Sequence, residues 1–377
     1  MKYPLFKPHL NTDEILLRLK TVLDSGYINE GIQVQEFKQQ LIEKLGHEYV
    51  IPTSSCTAAI SMALKLAGVK AGDEVVTTSM TCIATNTPIL WMGAKIVWAD
   101  ICRETGNIDP KEVERKISKK TKAVICVNWA GIPCELEKLW KICKENNVKL
   151  IQDAAHSFGA TLREKDVSHF ADFTCYSFQA IKHVTCGDGG AIICNSKEDY
   201  LKARAMKWFG FDREAVKDTK GDWKGQRWEA DVLEAGNKFH MNNISATIGL
   251  TNLAKSNDIT SAHKRNAQTY NKLFQDAPFI TPLEAPLYSD PAYWVYSILL
   301  DETIDRDHIA KKMNELGVNA GLVHVPNHPY TCFRDSMCKL PMTNYFSRHQ
   351  LSLPCGWWLN SGDIEYIAQE LKNVCQP

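Results

Sequence analysis

Residues 172–194 read DFTCYSFQAIKHVTCGDGGAIIC. Asp172–Ser177 is a short β-branched and aromatic run, and Gly190–Cys194 is a second apolar run. Between them Lys182 precedes a glycine-rich turn, Gly187-Asp188-Gly189-Gly190. Two strands with a turn between them place that lysine at the C-terminal edge of a sheet.

Working outward, further strand candidates are Tyr49–Pro52, Glu74–Thr78, Lys95–Ala99, Ala123–Val127 and Lys149–Gln152. Helical stretches, Ala58–Leu66, Pro110–Ile117 and Glu135–Glu145, fall among them. This alternation predicts an α/β domain whose seven strands form a mostly parallel sheet flanked by helices. A ligand then sits beyond the C-terminal strand ends, where the strand order reverses. Phe211–Gly236 breaks the pattern with charge, Gly and Trp, and reads as an excursion that covers a site or an interface. The apolar spacing of Ile244, Ile248, Leu250 and Leu253 predicts a helix from Asn243 to about Asn257, and another spans 262–274. After the Pro-rich 277–291 segment come a strand, Tyr293–Leu300, and helices at Ile304–Glu315 and Ser361–Asn373. We expect a large domain over 1–258 and a smaller C-terminal α+β domain over 259–377.

The chain has 377 residues, with 44 Lys plus Arg against 44 Asp plus Glu. That balance gives no reason to expect nucleic acid or an anionic membrane as partner. No transmembrane run is present, and Pro4, Pro8 and several charges interrupt any signal-peptide core, so the expected compartment is the cytoplasm. The 13 cysteines are scattered, without C-x-x-C pairs or zinc spacing, and read as small buried apolar side chains; no metal is expected.

Three elements carry chemistry. Lys182 at a strand edge can condense with a carbonyl if it is partly desolvated; the plainer alternative is a solvated loop lysine. Asp153 ends the apolar run Leu150-Ile151-Gln152. A buried carboxylate needs a partner. A protonated pyridine nitrogen suits it, and so does a role as helix N-cap. Ser54-Ser55-Cys56-Thr57 follows a strand and opens a helix, where free N–H groups and hydroxyls make an anion site for a phosphate. Simple capping is compatible with that.

Taken in order, these stretches resemble one family. They are joined by Ser25–Gly31 with Glu36-Phe37, by Ala71-Gly72-Asp73-Glu74-Val75-Val76, by Asp153-Ala154-Ala155-His156, by Ala246–Leu250 and by Leu351-Ser352-Leu353-Pro354. The chain is similar to the DegT/DnrJ/EryC1/StrS sugar-nucleotide aminotransferases of pyridoxal-phosphate fold type I. The resemblance implies that Lys182 is the Schiff-base lysine and that Asp153 pairs with the pyridine nitrogen. By the same resemblance, His156 is expected near the cofactor's ring oxygen, and Ser55, the amide of Cys56, Thr57 and Ser177 are expected to cradle the phosphate. It implies a homodimer with shared active sites, residues 236–241 reaching the neighbouring phosphate. Departures from the family pattern are Cys56 in place of a cradle glycine and Cys82 where an aromatic ring usually stacks on the cofactor. Lys238 stands in place of an asparagine, and His240 where many relatives have arginine.

The expected reaction moves an amino group, from glutamate by family analogy, to a nucleotide-linked 4-keto-6-deoxyhexose, giving a viosamine- or perosamine-type sugar. A 3-keto-sugar aminotransferase is the alternative. Lysine at 182 disfavours a dehydratase. The lack of a spare basic segment disfavours a cofactor-binding regulator, and the lack of G-x-G-x-x-G disfavours a dinucleotide oxidoreductase. Trp208, Trp223 and Trp228 are candidates for stacking on substrate, with packing the plainer reading, as for Trp357-Trp358. His324, His328 and Tyr330 lie in a polar turn of the smaller domain and are candidates to reach the substrate, with a surface loop the plainer reading.

Overall fold

Among the strands of the central sheet, one runs against the rest. The computed structural model describes residues 1–215 and 231–376. The middle of the Phe211–Gly236 excursion, with Trp223 and Trp228, lies outside the described residues. The strands are β1 (Val50–Thr53), β2 (Glu74–Thr78), β3 (Lys95–Ala99), β4 (Thr121–Val127) and β5 (Lys149–Asp153). A small ribbon, β6 (Thr161–Leu162) and β7 (Lys165–Asp166), precedes β8 (Phe173–Ser177) and β9 (Gly190–Cys194). The seven-stranded sheet has the order β1-β9-β8-β5-β4-β2-β3. The β2–β3, β2–β4, β4–β5 and β5–β8 pairs are parallel, while β9 is antiparallel to both β8 and β1. The parallel strands are buried along nearly their whole length, as expected of a sheet covered on both faces.

The flanking helices are α1 (Thr12–Asp24), α2 (Ile32–Leu45), α3 (Cys56–Leu66), α4 (Ile83–Trp91), α5 (Pro110–Lys116), α6 (Leu136–Glu145), α7 (Lys197–Met206) and α8 (Asn243–Leu253). Two apolar clusters sandwich the sheet: one holds Phe37, Val124, Leu150 and Phe178, the other Ile60, Leu64, Ile125 and Ile192. Helix α3 begins two residues earlier than its apolar run suggests, because Ser55 caps it by accepting from the Ala58 N–H at 3.1 Å.

The expected helix at 243–257 is two helices. After α8 the chain turns at Ala254-Lys255 and continues as α9 (Ser256–Leu273). Helix α8 packs on α1 and α2, whereas α9 packs on α12 (Ser361–Cys375), so the break lets consecutive helices serve different cores. The remaining elements are β10 (Ile280–Pro282), β11 (Ser289–Asp290), β12 (Tyr296–Leu300), α10 (Arg306–Glu315), α11 (Pro341–His349) and β13 (Gln350–Leu353). Strands β10, β12 and β13 form an antiparallel sheet whose core holds Tyr270, Tyr296, Ile298 and Leu371. Strand β12 starts three residues later than its composition suggests, since Tyr293 has φ 47°, a left-handed conformation that a strand cannot contain. Tyr3 also belongs to this core: it bridges to Val318 and its N–H donates to the Gly317 carbonyl at 2.9 Å.

Candidate active site

The C-terminal ends of β1, β2, β5 and β8 converge on one region. At the end of β1 the Ser55 hydroxyl takes up the Ala58 N–H, while the amides of Cys56 and Thr57, in the first turn of α3, have no acceptor within the helix. Ser177, at the end of β8, pairs with Gly190, and a Cβ on Gly190 would lie 2.5 Å from the Cys56 nitrogen. Glycine there lets β9 close against the start of α3 and brings Ser177 to the same cradle. Cys56 resolves one sequence departure. Its thiol is buried and turned inward, toward the Cys175 carbonyl (3.5 Å) and Asp153 Oδ1 (3.8 Å), so the side chain leaves the cradle amide clear.

Asp153 closes β5. Its Oδ1 accepts from the Ala155 N–H at 3.0 Å and its Oδ2 from the Thr85 hydroxyl at 2.7 Å. Burial pushes its carboxyl above the usual range, against those hydrogen bonds and the charge of Lys182. Such a group is left short of a cation.

Lys182 is half-buried, with Nζ 3.5 Å from the Trp294 ring centroid. Burial pushes its amine down to about 8, opposed by Asp153 and then by the thiols of Cys82 and Cys56. Trp294 is fixed by its indole N–H donating to the Ile181 carbonyl at 2.7 Å and by stacking on His156, centroids 4.0 Å apart. His156 stacks in turn on His324, which the sequence had placed in a surface turn. Burial holds both imidazoles below their ordinary range, His324 at about 3, with Lys182 adding to the effect. The Nδ1 of His156 is buried without a partner among the described residues. His328 is buried too, its Nδ1 2.8 Å from the Ser79 hydroxyl, while Tyr330 stays exposed. His183 turns away from Lys182, toward His263 and the Ala292 carbonyl.

Cys82 caps the start of α4 and lines a cavity with His324, Val325 and Asn327. The segment that carries Lys238 lies beside β1, with the Ser54 N–H donating to the Phe239 carbonyl at 2.7 Å; Lys238 itself is exposed. His240 is buried, with Nε2 2.7 Å from Asn29 Oδ1 and its ring edge-on to Trp208. Trp208 therefore packs against its own chain.

The DegT/DnrJ/EryC1/StrS aminotransferase family profile matches residues 10–372. The chain belongs to that family. It is an aminotransferase, and its cofactor is pyridoxal phosphate. Among solved structures, this aminotransferase is similar to AtS13 from Actinomadura melliaura, with 32% identity, TM-score 0.91, and 99% of this chain and 98% of that one covered. It is also similar to the sugar aminotransferase CalS13 from Micromonospora echinospora, with 29% identity, TM-score 0.91, and 99% and 100% covered. PseC of Helicobacter pylori, described as involved in pseudoaminic acid biosynthesis, shares 27% identity at TM-score 0.89, with 99% of each chain covered.

The site of the aminotransferase fits the cofactor. It presents an amine for the carbonyl, a cation-deficient buried acid for the ring nitrogen, a helix N-terminus with hydroxyls for the phosphate, and an unpartnered imidazole nitrogen on a histidine whose charge balance Lys182 influences. Trp294, Thr85 and Asn327 went unnoticed in the sequence, and His324 was read chiefly as part of a surface loop. Each comes from a distant segment with no local chemical pattern. The single signal was the concentration of histidines at 324 and 328.

Proposed function

We propose that the chain transfers an amino group from glutamate to a nucleotide-linked 4-keto-6-deoxyhexose, making a 4-amino-4,6-dideoxy sugar nucleotide of the viosamine or perosamine type. The observation that carries the catalytic part is the Lys182 amine, pushed down to about 8 at the sheet's C-terminal edge, with Asp153, Cys82 and Cys56 as its electrostatic neighbours. The sugar part is supported by the family and by the sugar aminotransferase among the similar structures.

When bound, pyridoxal phosphate supplies the carbonyl that takes up the amine and the ring that withdraws electrons. In this reading the chain's residues divide the remaining work. Lys182 anchors the cofactor and, once freed, moves a proton at the donor carbon, as base and then as acid; a depressed pKa keeps part of it unprotonated near neutrality. Asp153 holds the proton on the ring nitrogen. Ser55, Thr57, Ser177 and the Cys56 amide bind the phosphate, and His156 faces the ring oxygen. Cys82 covers the ring with less area than an aromatic residue offers.

The reading includes a homodimer in which Lys238 reaches the partner's phosphate. Exposed Leu16, Leu17, Leu23, Ile28 and Ile32 on and between α1 and α2 support an interface there, since apolar side chains of that number rarely face water together. The large domain runs to residue 258 in this reading, and the small one follows. The enzyme works in the cytoplasm; among the described residues no helix is long and apolar enough to cross a membrane.

The test is direct. The protein mixed with pyridoxal phosphate is expected to show a visible absorption band, and borohydride followed by peptide mapping is expected to place the cofactor on Lys182. A reducible adduct that persists in Lys182→Ala would overturn the assignment. A panel of UDP-, dTDP- and GDP-linked keto sugars with glutamate, read by mass, tests the substrate; no aminated product from any of them removes the sugar reading.

A further inference from the structure

The loop that runs from Leu322 to Tyr330 belongs by sequence to the C-terminal region, yet it enters the large sheet's site at two places. His324 stacks on His156, three residues after Asp153. Asn327, 1% exposed, is the second. Its Nδ2 donates to the Thr81 carbonyl at 2.8 Å, and its Oδ1 accepts from Asn86 Nδ2 at 2.8 Å. Asn86 also donates to the Thr78 carbonyl and accepts from the Thr77 hydroxyl, both at 3.0 Å. The Asn327 N–H donates to the Ser79 carbonyl at 2.8 Å. One side chain thus holds both the turn after β2 and the first turn of α4.

A line of hydroxyls continues from that turn. The Thr81 and Thr85 hydroxyls are 2.8 Å apart, and Thr85 lies 2.7 Å from Asp153 Oδ2. Asp153, which we read as ionised, can only accept, so Thr85 spends its proton on the carboxylate and must accept from Thr81. The line therefore has one direction: Thr81 donates to Thr85, and Thr85 donates to Asp153. Thr81, Thr85, Asn86 and Asn327 are all buried, where hydrogen bonds in series polarise one another and an unmade one is costly.

We propose that Asn327 is a positioning residue for the cofactor: it fixes Thr81 so that the Thr81–Thr85 hydroxyl line is aimed at Asp153 and Cys82 is held at the cofactor face. This rests on the reading in which Asp153 takes the ring nitrogen. Asn327 is buried and acts through Thr81 and Asn86. The small domain is thereby wired to the electron sink by hydrogen bonds as well as by packing.

The experiment measures retention of pyridoxal phosphate and the position of its visible band in wild type, Asn327→Leu, Thr85→Val and the double variant. The melting temperature of each cofactor-free protein is recorded alongside. Asn327→Leu is expected to weaken retention about tenfold, the scale of one buried hydrogen bond, and to shift the band. The double variant is expected to lose less than the sum of the two single losses, because both act on the Thr81–Thr85 line. Unchanged retention and band in a folded Asn327→Leu protein overturns the proposal, and so does simple addition of the two effects. Should Asn327→Leu fail to fold, Thr81→Val removes the same line with the backbone carbonyl intact; a wild-type band and affinity there overturn it equally. A wild-type protein with no reducible adduct on Lys182 fails the underlying reading, and this proposal with it. A normal wild type with insensitive variants fails this proposal alone.

Discussion

His156 and His324 lie face to face, ring centroids 5.3 Å apart and 14° from parallel, with their Nε2 atoms 3.4 Å from each other. One follows the end of β5 and the other comes from the loop ahead of α11, so this contact closes the site between the two sheets. Two imidazoles can approach so closely only when at most one is charged, and burial keeps both below their ordinary range.

The pH dependence follows from that pair. Since His324 is held at about 3 and burial holds His156 well below its ordinary value, neither imidazole should titrate near pH 6.5 in the cofactor-free protein. Proton NMR of the histidine rings checks this. A ring signal that moves near pH 6.5 and disappears in His324→Phe would show that the stack is charged.

Lys182 should titrate within the working range. With its amine pushed down to about 8, the rate of covalent cofactor uptake is expected to rise with pH and level off above about 8. Stopped-flow absorbance across pH 6–10 gives the profile. Lys182→Ala should lose roughly 10³-fold or more in amino transfer, within the range spanned by loss of a proton-transfer group and its nucleophile.

Asp153→Asn should separate function from stability. A carboxyl whose folded value is raised costs the folded protein free energy once the pH passes its ordinary value of 3.8. The uncharged amide removes that cost, so the cofactor-free variant is expected to melt higher than wild type at pH 7. Transfer should nevertheless fall by about 10²-fold, the scale of one lost preorganised electrostatic partner. Calorimetry and a transfer assay on the same preparation test both halves, and a variant that melts lower refutes the first.

Cys56→Gly should restore the cradle residue common in the family at a cost in stability. The lost contacts to Cys175 and Asp153, with glycine in the first turn of α3, should destabilise by about 1–2 kcal/mol. Cofactor affinity should change less than twofold, because the amide remains. A large loss of affinity would mean that the thiol itself shapes the phosphate site.

Complementation tests the shared site. Lys238→Ala and Lys182→Ala proteins, each impaired alone, should recover about a quarter of wild-type activity when unfolded together and refolded as a random mixture. Half of such dimers are mixed, and each mixed dimer carries one site free of both changes. No recovery would place Lys238 in its own chain's site.

Much of this architecture was legible because its determinants are local. Strands β2, β3 and β9 are bounded as their β-branched and apolar runs predict, and Ser55 announces α3. Asp153 and Lys182 end up as electrostatic neighbours because both mark C-terminal strand edges, which a parallel sheet aligns. The parts that stayed hidden depend on pairings between remote segments. Thr85 and Asn86 sit on a helix of mostly apolar character, and nothing in that run shows that one reaches Asp153 and the other Asn327. Trp294 follows a residue whose left-handed backbone interrupts what reads as one continuous strand. Cys56 looked like an intrusion into a phosphate loop until its rotamer placed it in the core.

The bridge between Tyr3 and Val318 bears on how the protein is made. Tyr3 leaves the ribosome more than 300 residues ahead of the partner it bridges to. At about 5–20 residues per second, that segment waits roughly 15–60 s for its place. During that interval Tyr3 has no core to enter, since the cluster it joins is built from residue 267 onward, which makes the segment around it a natural client for a chaperone.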